Sequence, residues 1–193
     1  GLGIPAEPLF RSGRNTGGNT KVTVRAGDLN EVYGGARMAD VKGNAFVNID
    51  GEHASSYVVI NKVYGGNDIA GTIGSPKQTT ENKVKKLPTE LTEAAENGVT
   101  KDWDAFVRVS SREKVETTGE EDDKTTTAAV YIGQLFGGGN GEYTYINTKD
   151  NDVVTHIIKD KDGKVLISTT DDGFSAPELN QTYLEVVGGS IVY

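Results

Sequence analysis

Cysteine is absent from this chain of 193 residues, and histidine occurs only twice. The first absence excludes disulfides, thiolate metal sites and cysteine nucleophiles. The second leaves histidine-based catalysis and histidine-rich metal centres short of residues, and we interpret His53 and His156 as structural or merely exposed. No apolar run approaches the roughly 18 residues that a membrane-spanning helix needs. We therefore expect no membrane insertion.

Positive charge is also scarce. Lys and Arg together number 20 against 28 Asp and Glu, which gives a net charge of −8. An acidic surface repels phosphate backbones, so we do not expect nucleic acid as a partner. Glycine, by contrast, is abundant at 25 residues, close to twice the usual share of about 7%. Together with plentiful Val, Ile, Thr and Tyr, this composition is typical of strands joined by tight turns.

A short phrase of one aromatic residue and two glycines recurs after β-like runs. Its three copies are Tyr33-Gly34-Gly35, Tyr64-Gly65-Gly66 and Phe136-Gly137-Gly138. We expect the glycines to supply the positive φ of a bend and the small volume that lets coils stack about 4.8 Å apart. The aromatic residues are expected to point inward. Asn67 and Asn140, which follow two of the copies, are expected to form a side-chain amide ladder.

A fourth, partial copy lies near the end of the sequence. Residues 184–191 parallel residues 22–29 position for position, and the match breaks off at Tyr193. Because the first residue is also Gly rather than Met, we interpret the chain as a fragment of a longer protein. We expect its open strand edges to continue into further sequence or to pair with another subunit.

Three insertions interrupt the repeat within a single domain spanning residues 1–193. The first, 74–104, contains a predicted helix from Pro88 to Glu96, because Pro suits the first helical turn. The second, 111–127, is charged and poor in apolar residues, which predicts an exposed loop. The third, 148–182, contains two alternating runs around an Asp-Gly turn, which predicts a β-hairpin over 153–168.

These patterns predict a mainly β fold. We expect an irregular β-solenoid, a β-helix-like stack of three to four coils with inserted loops, one short helix and a β-hairpin, because no coil can bury its apolar face alone. The alternative is a β-sandwich of two sheets in which the glycine-rich phrases are turns.

The stretch from Val22 to Gly35 resembles the "VYGGG" type of repeat found in very large, glycine-rich surface or secreted proteins of gut Bacteroidetes, and the stretch from Asp40 to Gly51 is similar to the other half of that pattern. Together these segments cover a third to a half of the chain. The resemblance implies an adhesin-like β-solenoid displayed outside the cell or at its surface. It carries no catalytic residues with it.

Four aromatic residues are candidates for binding. They are Trp103, Tyr131, Tyr143 and Tyr145. The three tyrosines alternate with small or polar residues, which leaves one face open, and Trp103 ends an insertion beside two acids. An exposed aromatic ring can stack on the apolar face of a sugar while nearby acids and amides bind its hydroxyls. The alternative for Trp103 is packing of the insertion onto the coils.

No residue is assigned a catalytic role or a metal. Four carboxylates near the repeat bends are the only candidates for a glycoside-cleaving pair: Asp40, Asp50, Glu52 and Asp68. No cofactor is expected beyond a weak surface Ca²⁺ site, whose candidates are Asp150, Asp152, Asp171 and Asp172. Asp160 and Asp162 are interpreted as part of the hairpin turn.

The sequence therefore predicts a non-enzymatic structural or adhesive segment of an exported bacterial surface protein. Its expected partners are glycans or other surface proteins, and its open strand edges also allow self-association. Two alternatives remain. One is a carbohydrate-active β-helix enzyme, namely a lyase, a hydrolase or a phage-type depolymerase. The other is a virion or tail structural protein.

Overall fold

A computed structural model describes residues 19–74, 104–117, 124–170, 176–179 and 181–192. Within these ranges the chain forms β-strands and no helix. The mainly β fold predicted from composition is therefore confirmed. The predicted helix from Pro88 to Glu96 and the candidate Trp103 lie outside the described residues.

Thirteen strands follow one another along the described residues. They are β1 (Thr20–Val24), β2 (Gly27–Tyr33), β3 (Ala45–Gly51), β4 (Val58–Tyr64), β5 (Ala105–Ser111), β6 (Glu113–Thr117), β7 (Lys124–Ala128), β8 (Val130–Phe136), β9 (Thr144–Asp150), β10 (Val153–Lys159), β11 (Val165–Thr169), β12 (Thr182–Val186) and β13 (Ser190–Ile191).

Two parallel sheets form the centre of the molecule. The first has the strand order β1-β3-β5-β12 and the second has the order β2-β4-β8-β13. The chain passes from the first sheet to the second four times, and we call each such pair of strands a rung: β1–β2, β3–β4, β5–β8 and β12–β13. Short parallel bridges at Met38–Ala70, Val41–Ile73 and Thr72–Glu178 form a third, irregular side.

The rungs share one register. Val22 is aligned with Val47, Val47 with Val107, and Val107 with Leu184. This register reproduces the correspondence between residues 22–29 and 184–191 that the sequence predicts. The backbone agrees as well, because Gly27 and Gly189, which occupy equivalent positions, both have a φ of 113°.

The main core lies between the two parallel sheets. Its fully buried members alternate along the strands with residues that face outward, as strand geometry requires. They include Val47, Ile49, Val58, Ile60 and Val107. Burial of each such side chain contributes about 1.5–3 kcal/mol relative to exposure. The rungs are therefore held together chiefly by aliphatic columns.

The repeated glycines allow close approach of successive rungs. A Cβ on Gly65 would overlap the carbonyl oxygen of Gly137 and would come within 2.9 Å of Val107 Cγ2. A Cβ on Gly34 would overlap the carbonyl oxygen of Gly65 in the same way. The predicted need for small volume is thus met, but the predicted positive φ is wrong at the aromatic-Gly-Gly glycines. The glycines with positive φ in the described residues lie elsewhere, at Gly27 and Gly189 among others.

The aromatic residues of the repeat form a stacked column that is separate from the main core cluster. Tyr64 is buried at 2% exposure, whereas Phe136 is 40% exposed, so the expectation that the aromatic residues point inward is wrong for Phe136. Tyr33 and Tyr64 stack with ring centroids 4.9 Å apart, and Tyr64 and Phe136 stack at 5.0 Å. Their neighbours Val32 and Val63 belong to the core. Because successive side chains of a strand point to opposite faces, the rings lie on the side of the sheet away from Val32 and Val63, where Tyr64 is stacked between Tyr33 and Phe136.

Asn67 is buried, but it forms no amide ladder with Asn140. Its Oδ1 accepts a hydrogen bond from the Ala36 N–H at 2.7 Å, and its Nδ2 donates to the carbonyl oxygens of Ala39 and Ala70. The hydrogen bond between the two asparagines runs from the Asn140 N–H to the Asn67 carbonyl oxygen at 2.9 Å. The predicted side-chain ladder is wrong here because the bend leaves backbone groups that the Asn67 amide satisfies.

Two of the predicted insertions contain antiparallel strands. In 111–127, β6 pairs with β7, so the expected loop is wrong: β-branched Thr125–Thr127 favour a strand despite their polarity. In the third insertion, β10 pairs with β11, which confirms the predicted hairpin. A further strand, β9, pairs with β10, and the turn between them uses positive φ at Asn151 and Asp152. The predicted start at 148 therefore falls inside β9.

Candidate functional site

The outer side of the second parallel sheet carries an unusual group of exposed side chains. Tyr57 is 50% exposed and Val59 is 41% exposed. Val59 is aligned with Tyr131 in the neighbouring rung. We call this surface the Tyr131 face and define it as Asp28, Asn30, Tyr57, Val59, Asn61 and Tyr131. Strand alternation produces it, because Val58 and Ile60 face the core and therefore turn Tyr57 and Val59 outward.

Two tyrosines and a valine form an apolar platform on this face. The rings of Tyr57 and Tyr131 have centroids 6.2 Å apart and are tilted by 46°. Single exposed apolar residues are normal in soluble proteins, whereas a contiguous exposed group marks a surface that contacts something else. Tyr57 presents an exposed ring beside the exposed Val59 side chain, and the half-buried Tyr131 borders them.

Amide groups lie next to the platform. Asn61 Nδ2 donates to Asn30 Oδ1 at 3.3 Å. Asparagine side chains of neighbouring rungs are therefore hydrogen-bonded within β2 and β4, before the repeated glycines rather than after them. The next rung has Gly133 at this place, and a Cβ there would approach the Asn61 carbonyl oxygen to 2.5 Å. Because Gly133 has no side chain, nothing projects from this position beside Tyr131. Each amide offers both donors and an acceptor, which suits hydroxyl-rich ligands.

Tyr143 and Tyr145, two of the predicted binding residues, instead hold the β9–β11 insertion against the rungs. Tyr143 donates its hydroxyl hydrogen to Asp68 Oδ1 at 2.8 Å. Tyr145 donates to the carbonyl oxygen of Ile69. Both rings pack against a buried cluster that includes Ile69 and Ile158. All three predicted tyrosines are half-buried, and the structure separates them by their contacts: Tyr131 lies beside the exposed Tyr57, whereas Tyr143 and Tyr145 anchor the insertion.

Burial controls the titration of these anchor tyrosines. Desolvation, together with the Asp68 carboxylate, raises the pKa of Tyr145 to about 12. Desolvation, followed by the hydrogen bond to Asp68, also raises the pKa of Tyr143. Both phenols are therefore neutral hydrogen-bond donors at physiological pH.

A polar corner joins the stacked aromatic column to the insertion. Tyr33 Oη donates to Glu31 Oε2 at 3.1 Å and accepts from Asn140 Nδ2 at 3.2 Å. Asn140 Nδ2 also donates to Asp68 Oδ1 at 3.1 Å. Burial and the Asp68 charge raise the pKa of Tyr33. The hydrogen bonds of this corner connect protein groups to one another, which makes it a structural junction.

The four carboxylates named as candidates for glycoside cleavage belong to separate networks. Asp40 Oδ1 accepts from the backbone N–H and the hydroxyl of Thr72 at 2.9 and 3.1 Å. Asp68 takes part in the polar corner. Glu52 is exposed. Asp40 and Asp68 thus have structural partners within the fold.

Asp50, the fourth of these acids, is buried and accepts a hydrogen bond from Arg25 Nε at 2.8 Å and another from His53. Burial by itself raises the pKa of this carboxyl, but the Arg25 and His53 hydrogen bonds outweigh it and lower the pKa overall. Asp50 is thus held as a carboxylate, whereas a general acid needs a raised pKa.

Metal-binding groups are not found in the described ranges, where no three His, Asp or Glu side chains lie together in a way that could hold an ion. Of the candidates for a Ca²⁺ site, Asp150 and Asp152 flank the β9–β10 turn, and Lys149 pairs with Asp152 at 2.9 Å. Asp171 and Asp172 lie outside the described residues.

Asp160 closes the β10–β11 hairpin. Its Oδ1 accepts hydrogen bonds from the backbone N–H groups of Asp162 and Lys164 at 3.0 and 2.9 Å. On the neighbouring strands, His156 Nδ1 lies 2.8 Å from Asn147 Oδ1. Both observations agree with the structural interpretation of these residues.

The comparisons with known proteins gave no match to a protein-family model, to a curated protein or to a solved structure. Among the described residues, no helix has the length and apolar character needed to cross a membrane.

Proposed function

We propose that this chain is a non-enzymatic adhesive segment of an exported surface protein, built as an irregular β-solenoid that contacts glycans through the Tyr131 face. The solenoid assignment is supported by the parallel pairing in both main sheets and by the third side of parallel bridges. A β-sandwich, in contrast, is built from antiparallel sheets.

The apolar platform of the Tyr131 face carries the proposal. Tyr57 and Tyr131 present rings around the exposed Val59, and the Asn30–Asn61 pair supplies amides directly beside them. Sugars have apolar C–H faces bordered by hydroxyls, so this arrangement of ring and amide matches their two kinds of surface. Parallel rungs hold the face rigid, which limits the entropy lost on binding.

Binding without cleavage is favoured by the state of the carboxylates. Asp40, Asp50 and Asp68 accept hydrogen bonds from backbone or side-chain groups of the rungs and the insertion. These contacts stabilise the fold at positions away from the Tyr131 face. Adhesion therefore needs only the exposed platform, whereas hydrolysis would need an acid and a second carboxylate across one groove.

Incubation of the whole chain with a panel of immobilised bacterial and host polysaccharides tests the proposal. Retention on the polysaccharide and release of new reducing ends are measured together. We expect retention without release. We also expect that Tyr57→Ala combined with Tyr131→Ala weakens retention at least about tenfold, because loss of central aromatic contacts typically removes more than about 1 kcal/mol.

Two controls separate loss of binding from loss of folding. Tyr57→Phe with Tyr131→Phe keeps both rings and should retain binding within about threefold, a change of well under 1 kcal/mol. Val153→Ala with Val165→Ala removes exposed apolar groups from the insertion and should leave retention unchanged. Release of reducing ends that is lost in Asp40→Asn, Asp50→Asn or Asp68→Asn would make the chain an enzyme. Retention that survives the double alanine variant would exclude the Tyr131 face.

A further inference from the structure

The two ends of the rung stack differ from its middle in strand pairing. Within the described residues, β1 and β12 are the edge strands of the first sheet, and β2 and β13 are the edge strands of the second. On the last rung, Leu184 is 41% exposed and Val186 is 50% exposed, whereas Val107 and Val109, their neighbours in the third rung, are fully buried. Edge strands with exposed apolar columns are templates for pairing with another chain.

The first rung places apolar side chains in the same columns as the last rung, with Val22 half-buried and Val24 8% exposed. Val22 and Val24 occupy the same columns as Leu184 and Val186, through the shared register of β1, β3, β5 and β12. A first rung stacked on a last rung would therefore repeat the contact that already exists between rungs inside the chain. In the second sheet, Leu29 would likewise come to lie over Ile191, because both are aligned with the Ile60–Ile132 column.

The outward columns are also compatible across such a junction. Lys21 is aligned with Phe46, and its Nζ lies 5.8 Å from the centroid of that ring. The same column continues through Phe106 to Tyr183, whose rings stack at 5.2 Å. In a stacked pair, Lys21 of a second copy would lie over Tyr183 and add a cation–π contact.

Neighbouring positions of the junction avoid charge repulsion. Thr23 would lie over Glu185, and Asp28 would lie over Ser190. No pair of like charges is brought together in these columns. Hydroxyl–carboxylate pairs of this kind can form hydrogen bonds.

We propose that the last rung of one copy binds the first rung of a second copy, head to tail, so that both parallel sheets continue across the junction. Such an interface joins two different surfaces and leaves one of each unused, so it extends into linear assemblies. The assembly would repeat the Tyr131 face along its length and raise avidity for a repetitive ligand. The junction itself does not depend on glycan binding.

Sedimentation of the whole chain over a range of concentrations tests the junction. We expect an average mass that rises above the monomer mass of 20.6 kDa as the concentration increases. Val186→Lys should abolish the rise by placing a charge in the apolar column of the last rung. Thr23→Pro should abolish it from the other end: the Thr20 N–H points toward β3, so by alternation the Thr23 N–H points to the outer edge, where proline is tolerated.

Mixing the two variants gives the decisive result. Each variant retains one intact surface, so the equimolar mixture should form a dimer of twice the monomer mass and grow no further. Val165→Lys, at a residue of the insertion that is 51% exposed, should assemble like the unmodified chain. Lys21→Glu, which leaves the backbone unchanged, should weaken assembly by roughly three- to thirtyfold.

Three outcomes would overturn the junction. The unmodified chain could remain a monomer at every concentration, either single variant could still dimerise on its own, or the mixture could remain monomeric although circular dichroism shows that both variants are folded. Dimerisation of a single variant would indicate pairing of identical surfaces. Failure of this test leaves the glycan proposal intact, because retention is measured separately.

Discussion

The rung stack and the β9–β11 insertion are both built from strands, yet they are specified in opposite ways. In the stack, β3 pairs with β5 in parallel although 60 positions separate the aligned Ala45 and Ala105. In the insertion, consecutive strands pair in antiparallel fashion across short turns. Pairing of distant strands requires side chains that match from rung to rung and glycines that let the backbones approach closely. Pairing of consecutive strands requires only turn residues with the correct φ. Stability in the stack should therefore depend on glycines, and stability in the insertion should depend on its anchors.

The tyrosines show the same contrast. Tyr143 and Tyr145 of the insertion donate their hydroxyl hydrogens to groups of the stack. Tyr57 and Tyr131, on the stack itself, present their rings on the outer face. One pair therefore contributes to folding and the other is positioned for contact. Substitutions in the two regions should therefore have different effects on stability and on binding.

Gly65→Ala should produce the largest effect. The added methyl group would overlap the Gly137 carbonyl oxygen and crowd Val107, so we expect a loss of about 3 kcal/mol or more in the free energy of unfolding. Gly138→Ala is the matched control from the same phrase, because a Cβ there has nothing within 4 Å, and it should change stability by less than about 1 kcal/mol. Urea denaturation measures both, and equal effects would contradict the role assigned to close rung contact.

Asn67→Ala should produce the second largest effect. The substitution removes the amide that serves Ala36, Ala39 and Ala70 and leaves buried backbone groups without that partner, so we expect a loss of about 2–3 kcal/mol. The exposed Asn61 provides the control, and Asn61→Ala should change the unfolding free energy by less than about 0.5 kcal/mol. A small loss for Asn67→Ala would mean that water replaces the amide in the bend.

Tyr145→Phe should produce a smaller, pH-dependent effect. At pH 7 the lost hydrogen bond to Ile69 should lower the free energy of unfolding by about 1 kcal/mol. The folded-state pKa of Tyr145, about 12, lies above the unfolded value of roughly 10. The stabilisation is therefore complete below pH 10 and is lost as the pH rises toward 12. Thermal melting between pH 8 and 12 should show the two proteins converging, and a constant difference would contradict the anchor role.

Much of the rung stack could be predicted because its rungs are similar to one another in sequence. Residues 184–191 match residues 22–29, and the structure aligns the two segments in the same columns. The hairpin could be predicted because its Asp-Gly turn is local. The position of Tyr64 outside the main core cluster could not be predicted. The inward residues Ile60 and Val63 lie three apart, so the alternation changes phase between them.

The Tyr131 face was only partly predictable for a related reason. The sequence around Tyr131 indicates that one face of this residue is open. Val59, however, comes to lie beside Tyr131 only through the parallel pairing of β4 with β8, across 72 positions. The lengths of the insertions set that register, and no local pattern reveals them. The alternation from Tyr57 to Ile60 carries the one readable signal, because it turns two large residues away from the core.

Residue-resolved chemical modification of tyrosines, with and without a retained polysaccharide, tests the central claim most directly. Mass spectrometry after brief nitration reports which rings react and which become protected. We predict that Tyr57 and Tyr131 react before Tyr143 and Tyr145, and that bound polysaccharide protects the first pair alone. Protection of Tyr143 or Tyr145, or unchanged reaction of Tyr57 and Tyr131 in the bound state, would contradict this prediction.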